Sequence, residues 1–539
     1  MNLIRSAALA LIGMLILLST PLGGAQAAQV DTCFGLPASR LVPGVLAEVV
    51  GRSARKDIAP GGAWLKPDAS RTSPVLRYLP QGAVVKIQEN SQPLCTVDGD
   101  RWWAASYGDV RGYVTETVDQ RYVLAPFSGP APDLPAIDGL KLLTCIQPRL
   151  TAAPPTPTPA PDSPPVVRVV FADEEGAVAF SDNGGLPRVA ARFNLPPLSV
   201  DLSPDGTAAL VLTHNGLYWL DLLTGTTFLL ADMTRFGNIS EDVWLYRAQW
   251  TPDGLNAAVE LVDTRDNVYS FPIWNIGVAG FGAPFQVDSG TEPQNAVRRA
   301  PDDSRMIILG ANAIVPYPSN FADETPALLE YVPPVGEGDA REIVVPSVTW
   351  TAGGFYTYVP ASEDAPPGDT VGGHLWFIPN RGTPQDFGIV ANIKPSETAI
   401  PAPDGTVLLV GRGESWRLQD VAGKVLQTLP PVAQVFGWTP DGRGVAFTSK
   451  DGKAGYLGVD GVAESGFVPK EADNLFRISW LADGTILYVV RGSDDKLTFS
   501  TQRSGSDPVY IGILSNVNAY SVRLFGAVPG LATPPQPCR

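Results

Sequence analysis

Histidine is nearly missing from this chain: His214 and His374 are the two copies in 539 residues. That scarcity leaves little room for a nucleophile–histidine–carboxylate triad or a histidine-based metal centre. Neither histidine stands beside a Ser/Asp pair, and no G-x-S-x-G elbow occurs. His214 precedes the turn Asn215-Gly216 and reads as a loop residue, while His374 opens a strand. Charge is sparse too, at 17% against a usual share near ~25%. Basic residues are outnumbered, 39 Lys and Arg against 55 Asp and Glu, for a net charge of −16. Nucleic-acid binding needs clustered Lys and Arg on phosphates, so it is excluded as a function class. Phosphate loops and nucleotide fingerprints are absent, and no cofactor is implied. Asp263-Thr264-Arg265-Asp266-Asn267 lacks the ligand spacing and closing Glu of a calcium loop.

Long apolar runs are confined to the start. Ala7 to Leu18 follows Arg5 and precedes Ala25-Gln26-Ala27. The run is too short for a membrane span, and the small-x-small triplet is a cleavage site. Residues 1–27 therefore read as a signal peptide, with the mature chain secreted beyond the cytoplasmic membrane and no membrane span expected. Four cysteines follow, Cys33, Cys95, Cys145 and Cys538. An even, small number in an exported chain reads as two disulfides, and the spacings are too wide for a zinc knuckle.

Proline and glycine are plentiful, with 52 and 54 copies. Such usage belongs to turn-rich all-β protein with Pro-rich linkers. Short strands are expected at 75–79, 83–87, 102–107 and 112–114, around the turn Pro80-Gln81-Gly82. Strands this short suggest a small barrel. The order Leu65-Lys66-Pro67, Ser73-Pro74-Val75-Leu76, Leu79-Pro80-Gln81-Gly82, Asp98-Gly99-Asp100-Arg101-Trp102-Trp103 and Gly112-Tyr113-Val114 resembles the bacterial SH3-like (SH3b) family. The family usually has Gly-Trp where this chain has Gly112-Tyr113. The resemblance covers about 70 residues within a domain bounded at 28–127. It looks closest to exported variants with a Cys-containing N-terminal segment and a Pro-x-Cys loop, here Cys33 and Pro93-Leu94-Cys95. It implies a Cys33–Cys95 bridge, which leaves Cys145 with Cys538. It also implies a ligand groove, for cell-wall peptides or segments of the parent protein. Trp102, Trp103, Tyr107 and Tyr113 are its candidates. Strand alternation places one of the two indoles in the core and the other outside; the competing reading makes both packing residues.

Residues 128–165 are a linker, with Pro-Thr-Pro-Thr-Pro-Ala-Pro at 155–161 as a polyproline-II spacer. Beyond it a turn motif recurs. Ser203-Pro204-Asp205-Gly206 is followed by Thr251-Pro252-Asp253-Gly254, Ala300-Pro301-Asp302-Asp303, Thr351-Ala352-Gly353-Gly354, Ala402-Pro403-Asp404-Gly405, Thr439-Pro440-Asp441-Gly442 and Leu481-Ala482-Asp483-Gly484. The spacings are 48, 49, 51, 51, 37 and 42 residues. A period of about 40–50 residues, with text for four strands, is the propeller signature. Trp at 250, 350, 438 and 480 stands just before the turn. Its even recurrence implies blade packing. The repeat resembles the TolB-like, WD-related β-propeller, over about 170–526.

Residues 166–193 read as three strands without a Pro-Asp-Gly before them, and 518–525 as one strand with nothing after it. Together they make a composite blade that closes the ring. Eight blades result, over 166–526, with a Pro-rich tail at 527–539; seven is the alternative if the terminal strands only patch a blade. The expected object is all-β, an SH3-like barrel plus a large propeller. The expected function is non-enzymatic binding, to a cell-wall component or an envelope or extracellular protein. Two alternatives stand beside it. One is a glycan hydrolase or lyase using channel acids, of which Asp242 and Glu260 are examples. The other is an envelope-assembly partner of the TolB kind.

Overall fold

The computed structural model describes Cys33 and residues 36–129, 146–147, 165–525 and 536–537, with short gaps inside these spans. The signal-peptide reading, Cys145 and Cys538 lie outside the described residues. Among those described, strands account for nearly all regular structure, with one 3-10 turn at Met233–Phe236. No helix among them is long and apolar enough to cross a membrane.

Eight sheets form the ring. Blade 1 is composite: Val166–Ala172, Ala177–Asp182 and Arg188–Arg192 come from the front of the repeats, and Tyr520–Phe525 from the end. Tyr520–Phe525 pairs antiparallel with Val166–Ala172, from Val166↔Phe525 to Phe171↔Tyr520. Blades 2, 3, 4, 5, 6 and 8 are four-stranded meanders in chain order, and blade 7 shows three strands.

The recurring turn joins each innermost strand to the second. In blade 2 the Asp205 carboxylate accepts bonds from Ser203 Oγ (2.6 Å), Thr207 Oγ1 (2.8 Å) and the Thr207 amide (3.1 Å). Gly206 closes the turn at φ +69°, which only glycine adopts easily. A Cβ there would also lie 2.4 Å from the Phe525 ring, so turn and closing strand are fitted to each other.

The expected role of the pre-turn Trp is visible at two sites. Trp250 Nε1 donates to the Asp201 carbonyl of the preceding blade at 3.1 Å, and Trp438 Nε1 to the Ile400 carbonyl at 2.9 Å. Apolar clusters fill the gaps between neighbouring blades; Val170 and Phe180 of blade 1, for example, meet Val200 and Leu202 of blade 2.

The small domain is a sheet of short strands that includes Leu46–Val49, Val84–Ile87, Arg101–Tyr107 and Val110–Val118. Cys33 and Cys95 form a disulfide, the pairing implied by the family resemblance. A separate hairpin, Gly62–Leu65 with Arg77–Pro80, carries the domain onto the propeller. Trp64, Val75 and Tyr78 join one apolar cluster with Leu195, Leu210, Phe236 and Ile239. The Val75 amide donates to the Ile239 carbonyl (2.8 Å), and the Tyr78 amide to Asn215 Oδ1 (3.0 Å). Full burial of such a side chain contributes about 1.5–3 kcal/mol. The Pro-rich spacer thus does not leave the small domain loose. His214, read from sequence as a plain loop residue, is part of this junction: its ring lies 4.5 Å from that of Tyr78.

Candidate functional site

Two places gather polar chemistry in buried positions. The first is the centre of the ring, on the innermost strands of blades 1 to 4: Tyr520–Phe525, Ser199–Leu202, Val243–Trp250 and Val297–Arg299. Asp201 of blade 2 is its hub, at 4% exposure. Arg299 of blade 4 donates to both carboxylate oxygens, Nη1 to Oδ2 at 2.7 Å and Nη2 to Oδ1 at 2.9 Å. Ser521 Oγ of blade 1 donates to Oδ1 at 2.8 Å, and the Trp250 amide of blade 3 to Oδ2 at 2.7 Å. Arg523 Nη2 lies 3.7 Å from Oδ2. One carboxylate therefore links four blades. Burial on its own would raise the Asp201 pKa; Arg299 and then Arg523 outweigh it and hold the carboxyl below its ordinary range.

Glu260, on the second strand of blade 3, is the other acid. Its Oε1 accepts from Arg247 Nη2 (2.7 Å), Arg247 Nε (2.9 Å) and Gln249 Nε2 (3.0 Å). Burial pushes its pKa up, with Arg247 the main opposing influence. Nearby, the Tyr317 hydroxyl donates to Asn275 Oδ1 at 2.9 Å, and burial raises that phenol. Glu260 has no solvent exposure, so neither it nor Asp201 offers an accessible proton to a substrate. Both carboxylates act as clamps between strands and blades.

Asp201 and Arg299 escaped the sequence reading, yet a signal exists. Where blades 3, 5, 7 and 8 carry Trp before the turn, blade 4 carries Arg299. Arg299 Nη1 lies 3.3 Å from the Trp250 carbonyl, so it also bonds the preceding inner strand, as Trp250 and Trp438 do. A cation in the place of a recurrent indole calls for a buried anion, and Asp201 is that anion.

The second place is the small domain. Trp102 and Trp103 are 1% and 0% exposed, and Tyr107 is buried, while Tyr113 is half-buried. The expectation of one exposed indole is corrected. Alternation does put the two on opposite faces, but both faces are covered. On the side of the small domain's apolar cluster Trp103 Nε1 donates to Glu116 Oε2 at 2.8 Å, and Glu116 also receives Ser39 Oγ (2.8 Å) and the Arg40 amide (2.7 Å). On the other side the Lys66 ammonium lies 5.7 Å from the Trp102 ring centre and donates to the Arg71 carbonyl. Arg71 is fastened to Asp100 by bonds of 2.6 and 2.7 Å. Trp102 and Thr115 are cross-strand partners. Trp102 Nε1, Thr115 Oγ1 and Thr117 Oγ1 are buried and make no hydrogen bond. His374 is apart from both places, an exposed ring with Nδ1 3.0 Å from Asp386 Oδ2. Among the described residues no group of three or more metal-ligating side chains is assembled.

The described topology defines the class, an eight-bladed β-propeller carrying a docked small β domain. No family model and no curated protein matches the chain. Solved structures similar to it include a eukaryotic initiation factor, at 11% identity over 68% of this chain and 99% of that one, with a TM-score of 0.39. BamB from Moraxella catarrhalis matches at 14% identity over 63% of this chain and 92% of its own, TM-score 0.39. Apo AztD from Citrobacter koseri matches at 12% identity over 68% and 100%, TM-score 0.37.

Proposed function

We propose that this chain is an exported, non-enzymatic binding protein in which an SH3-like module holds the ligand and the propeller is its rigid mount. One observation carries the reading: three buried polar atoms around Trp102 lack partners. Leaving such a group unsatisfied costs about 1–3 kcal/mol. A ligand bearing hydroxyl and amide groups satisfies all three at once, with the Trp102 face as its apolar floor. A cell-wall glycopeptide has that chemistry. Entry requires the segment that begins at Lys66 and is fastened through Arg71–Asp100 to lift. The Cys33–Cys95 bridge accords with an oxidising compartment outside the cytoplasm. Asp201 is held on both oxygens and Glu260 on Oε1 by neighbouring donors, which favours binding over hydrolysis.

The test is co-sedimentation of the purified protein with isolated cell walls, followed by calorimetry with soluble wall fragments. Thr115→Val with Thr117→Val keeps the shape and removes two of the three groups. Loss of binding with an intact fold supports the reading. Equal binding by the double variant, or turnover of a polysaccharide that Glu260→Gln abolishes, overturns it.

A further inference from the structure

The hairpin of Gly62–Leu65 and Arg77–Pro80 serves two cores at once. Ala63, Leu65 and Leu79 belong to the small domain's apolar cluster, whereas their neighbours Trp64 and Tyr78 belong to the cluster shared with the propeller. Successive residues of a strand take opposite faces, and here each face meets a different domain. The loop that joins the two strands, residues 66–76, contains the segment that covers Trp102.

That cover is pinned at both ends, and to different domains. At its start the Lys66 amide donates to the Tyr113 carbonyl at 2.9 Å, and the Tyr113 amide donates back to the Lys66 carbonyl at 2.7 Å. Near its end the Val75 amide donates to the Ile239 carbonyl of the propeller, and the Val75 side chain is buried in the shared cluster. Between the ends the buried Lys66 ammonium donates to the Arg71 carbonyl, and Arg71 grips the buried Asp100. The Leu76 amide donates to the Leu65 carbonyl at 2.8 Å and closes the loop at its neck. A loop closed in this way lifts by a swing of its hairpin, and the propeller holds the hairpin. Closure also carries a standing penalty, because it leaves Trp102 Nε1, Thr115 Oγ1 and Thr117 Oγ1 buried without hydrogen bonds. Burial of Trp64, Val75 and Tyr78 in the cluster shared with the propeller offsets it.

We infer that docking on the propeller holds the Trp102 site shut, so that docking and ligand entry oppose each other. The inference rests on the reading of Trp102, Thr115 and Thr117 as a ligand site and adds the regulation of that site. Two arrangements are linked: docked and covered, or released and open. A ligand that fits only the open one binds with an apparent affinity reduced to the open fraction of chains. Bound ligand in turn loosens docking by the factor by which docking weakens the ligand. The propeller is then a latch on the small domain as well as its mount.

The test first reads the cover without a ligand. Acylation of lysines in the full chain by an N-hydroxysuccinimide ester is followed site by site by mass spectrometry, with the exposed Lys86 of the same domain as internal standard. Wild-type Lys66 is expected to react about tenfold more slowly than Lys86, or slower still. Ile239→Asp places a charge in the shared cluster and raises the Lys66 rate about tenfold, with the Lys86 rate and circular dichroism unchanged. Should that variant fail to fold, Asn215→Ala removes the acceptor of the Tyr78 amide and raises the Lys66 rate about threefold. Calorimetry with soluble wall fragments follows, and the released variants bind more tightly than wild type by the same factors. A wild-type Lys66 as reactive as Lys86 overturns the inference, as do equal Lys66 rates in wild type and folded variants, or faster Lys66 with unchanged fragment affinity. Fragments bound by no protein, with Lys66 released as expected, overturn the ligand reading and leave the latch standing. Fragments bound equally by all, with equal Lys66 rates, overturn the latch and leave the ligand reading standing.

Discussion

Arg299 reaches from the fourth blade past the third to clasp Asp201 on the second, with guanidinium–carboxylate distances of 2.7 and 2.9 Å. The pair sits where Ser521 of the closing strand also arrives. It is therefore a fastening for the ring and its closure together. Removing one partner of a buried pair leaves the other charge uncompensated, at a cost of about 3–5 kcal/mol.

Asp201→Ala is expected to lower unfolding stability by that amount, read from urea titration. Asp201→Asn should be milder, since its single amide oxygen still accepts from the Trp250 amide and its NH2 can donate to the Ser521 hydroxyl. The pH dependence follows from the depressed carboxyl. The unfolded chain takes up this proton first, so the stabilisation is complete above the ordinary carboxylate range. It is lost as pH falls below that range through the folded pKa.

His214 gives the small-domain junction its own pH response. Burial lowers its pKa from 6.5 to about 4. An undocked ring binds its proton near 6.5, whereas the docked ring resists until about 4. Docking is strongest above about pH 6.5 and weakens progressively down to about 4. Thermal midpoints of the wild type should fall across that window relative to those of His214→Phe. Parallel curves for the two proteins would refute the assignment.

Thr115→Val and Thr117→Val should each stabilise the ligand-free protein, by about 1 kcal/mol, since each replaces an unsatisfied buried hydroxyl by a methyl of like shape. Chemical denaturation measures this directly. Destabilisation by either would mean that the hydroxyl already has a partner.

Gly206→Ala should destabilise the ring by about 1–2 kcal/mol from the left-handed backbone alone, and further through the Phe525 ring that faces it. Combining it with Phe525→Ala should recover part of the second component. Deleting residues 518–539 removes the innermost strand of blade 1 and exposes edges, with loss of soluble expression as the expected result.

Ile146–Gln147 pairs antiparallel with Gln536–Pro537, Ile146 opposite Pro537. Cys145 precedes the first strand and Cys538 follows the second. A Cys145–Cys538 disulfide is expected, and non-reducing peptide mapping should recover it beside Cys33–Cys95. A bridge closing so long a loop stabilises by about 4–5 kcal/mol in the chain-entropy picture. A Cys538-linked dimer would contradict the pairing.

The ring was legible because its signals are local. Pro-Asp-Gly sets a turn from three adjacent residues, and its period counts blades. The composite blade followed from three strands at one end and one at the other. Legibility failed where meaning lies between distant elements. Trp64, Val75 and Tyr78 look in sequence like barrel core, because apolar residues that face a second domain obey the same alternation as those facing their own. Trp102 stayed open between two readings for the converse reason, and burial bears out the one that makes both indoles packing residues: alternation tells which face a residue takes, not whether another segment covers it. Asp201 and Arg299 lie 98 residues apart, and nothing nearby links them except the missing Trp.

The innermost strand of blade 1 comes from the chain's end, and its Ser521 meets Asp201 across 320 residues. This fixes an order of events in time. A ribosome emits about 5–20 residues per second, so blade 2 waits for tens of seconds before its neighbour can be completed. Through that interval every finished blade stands in an open arc with two unpaired flanks. Contacts of such long separation also form slowly. A chain truncated anywhere before Tyr520 never leaves this state, so premature termination late in synthesis is as damaging as termination early.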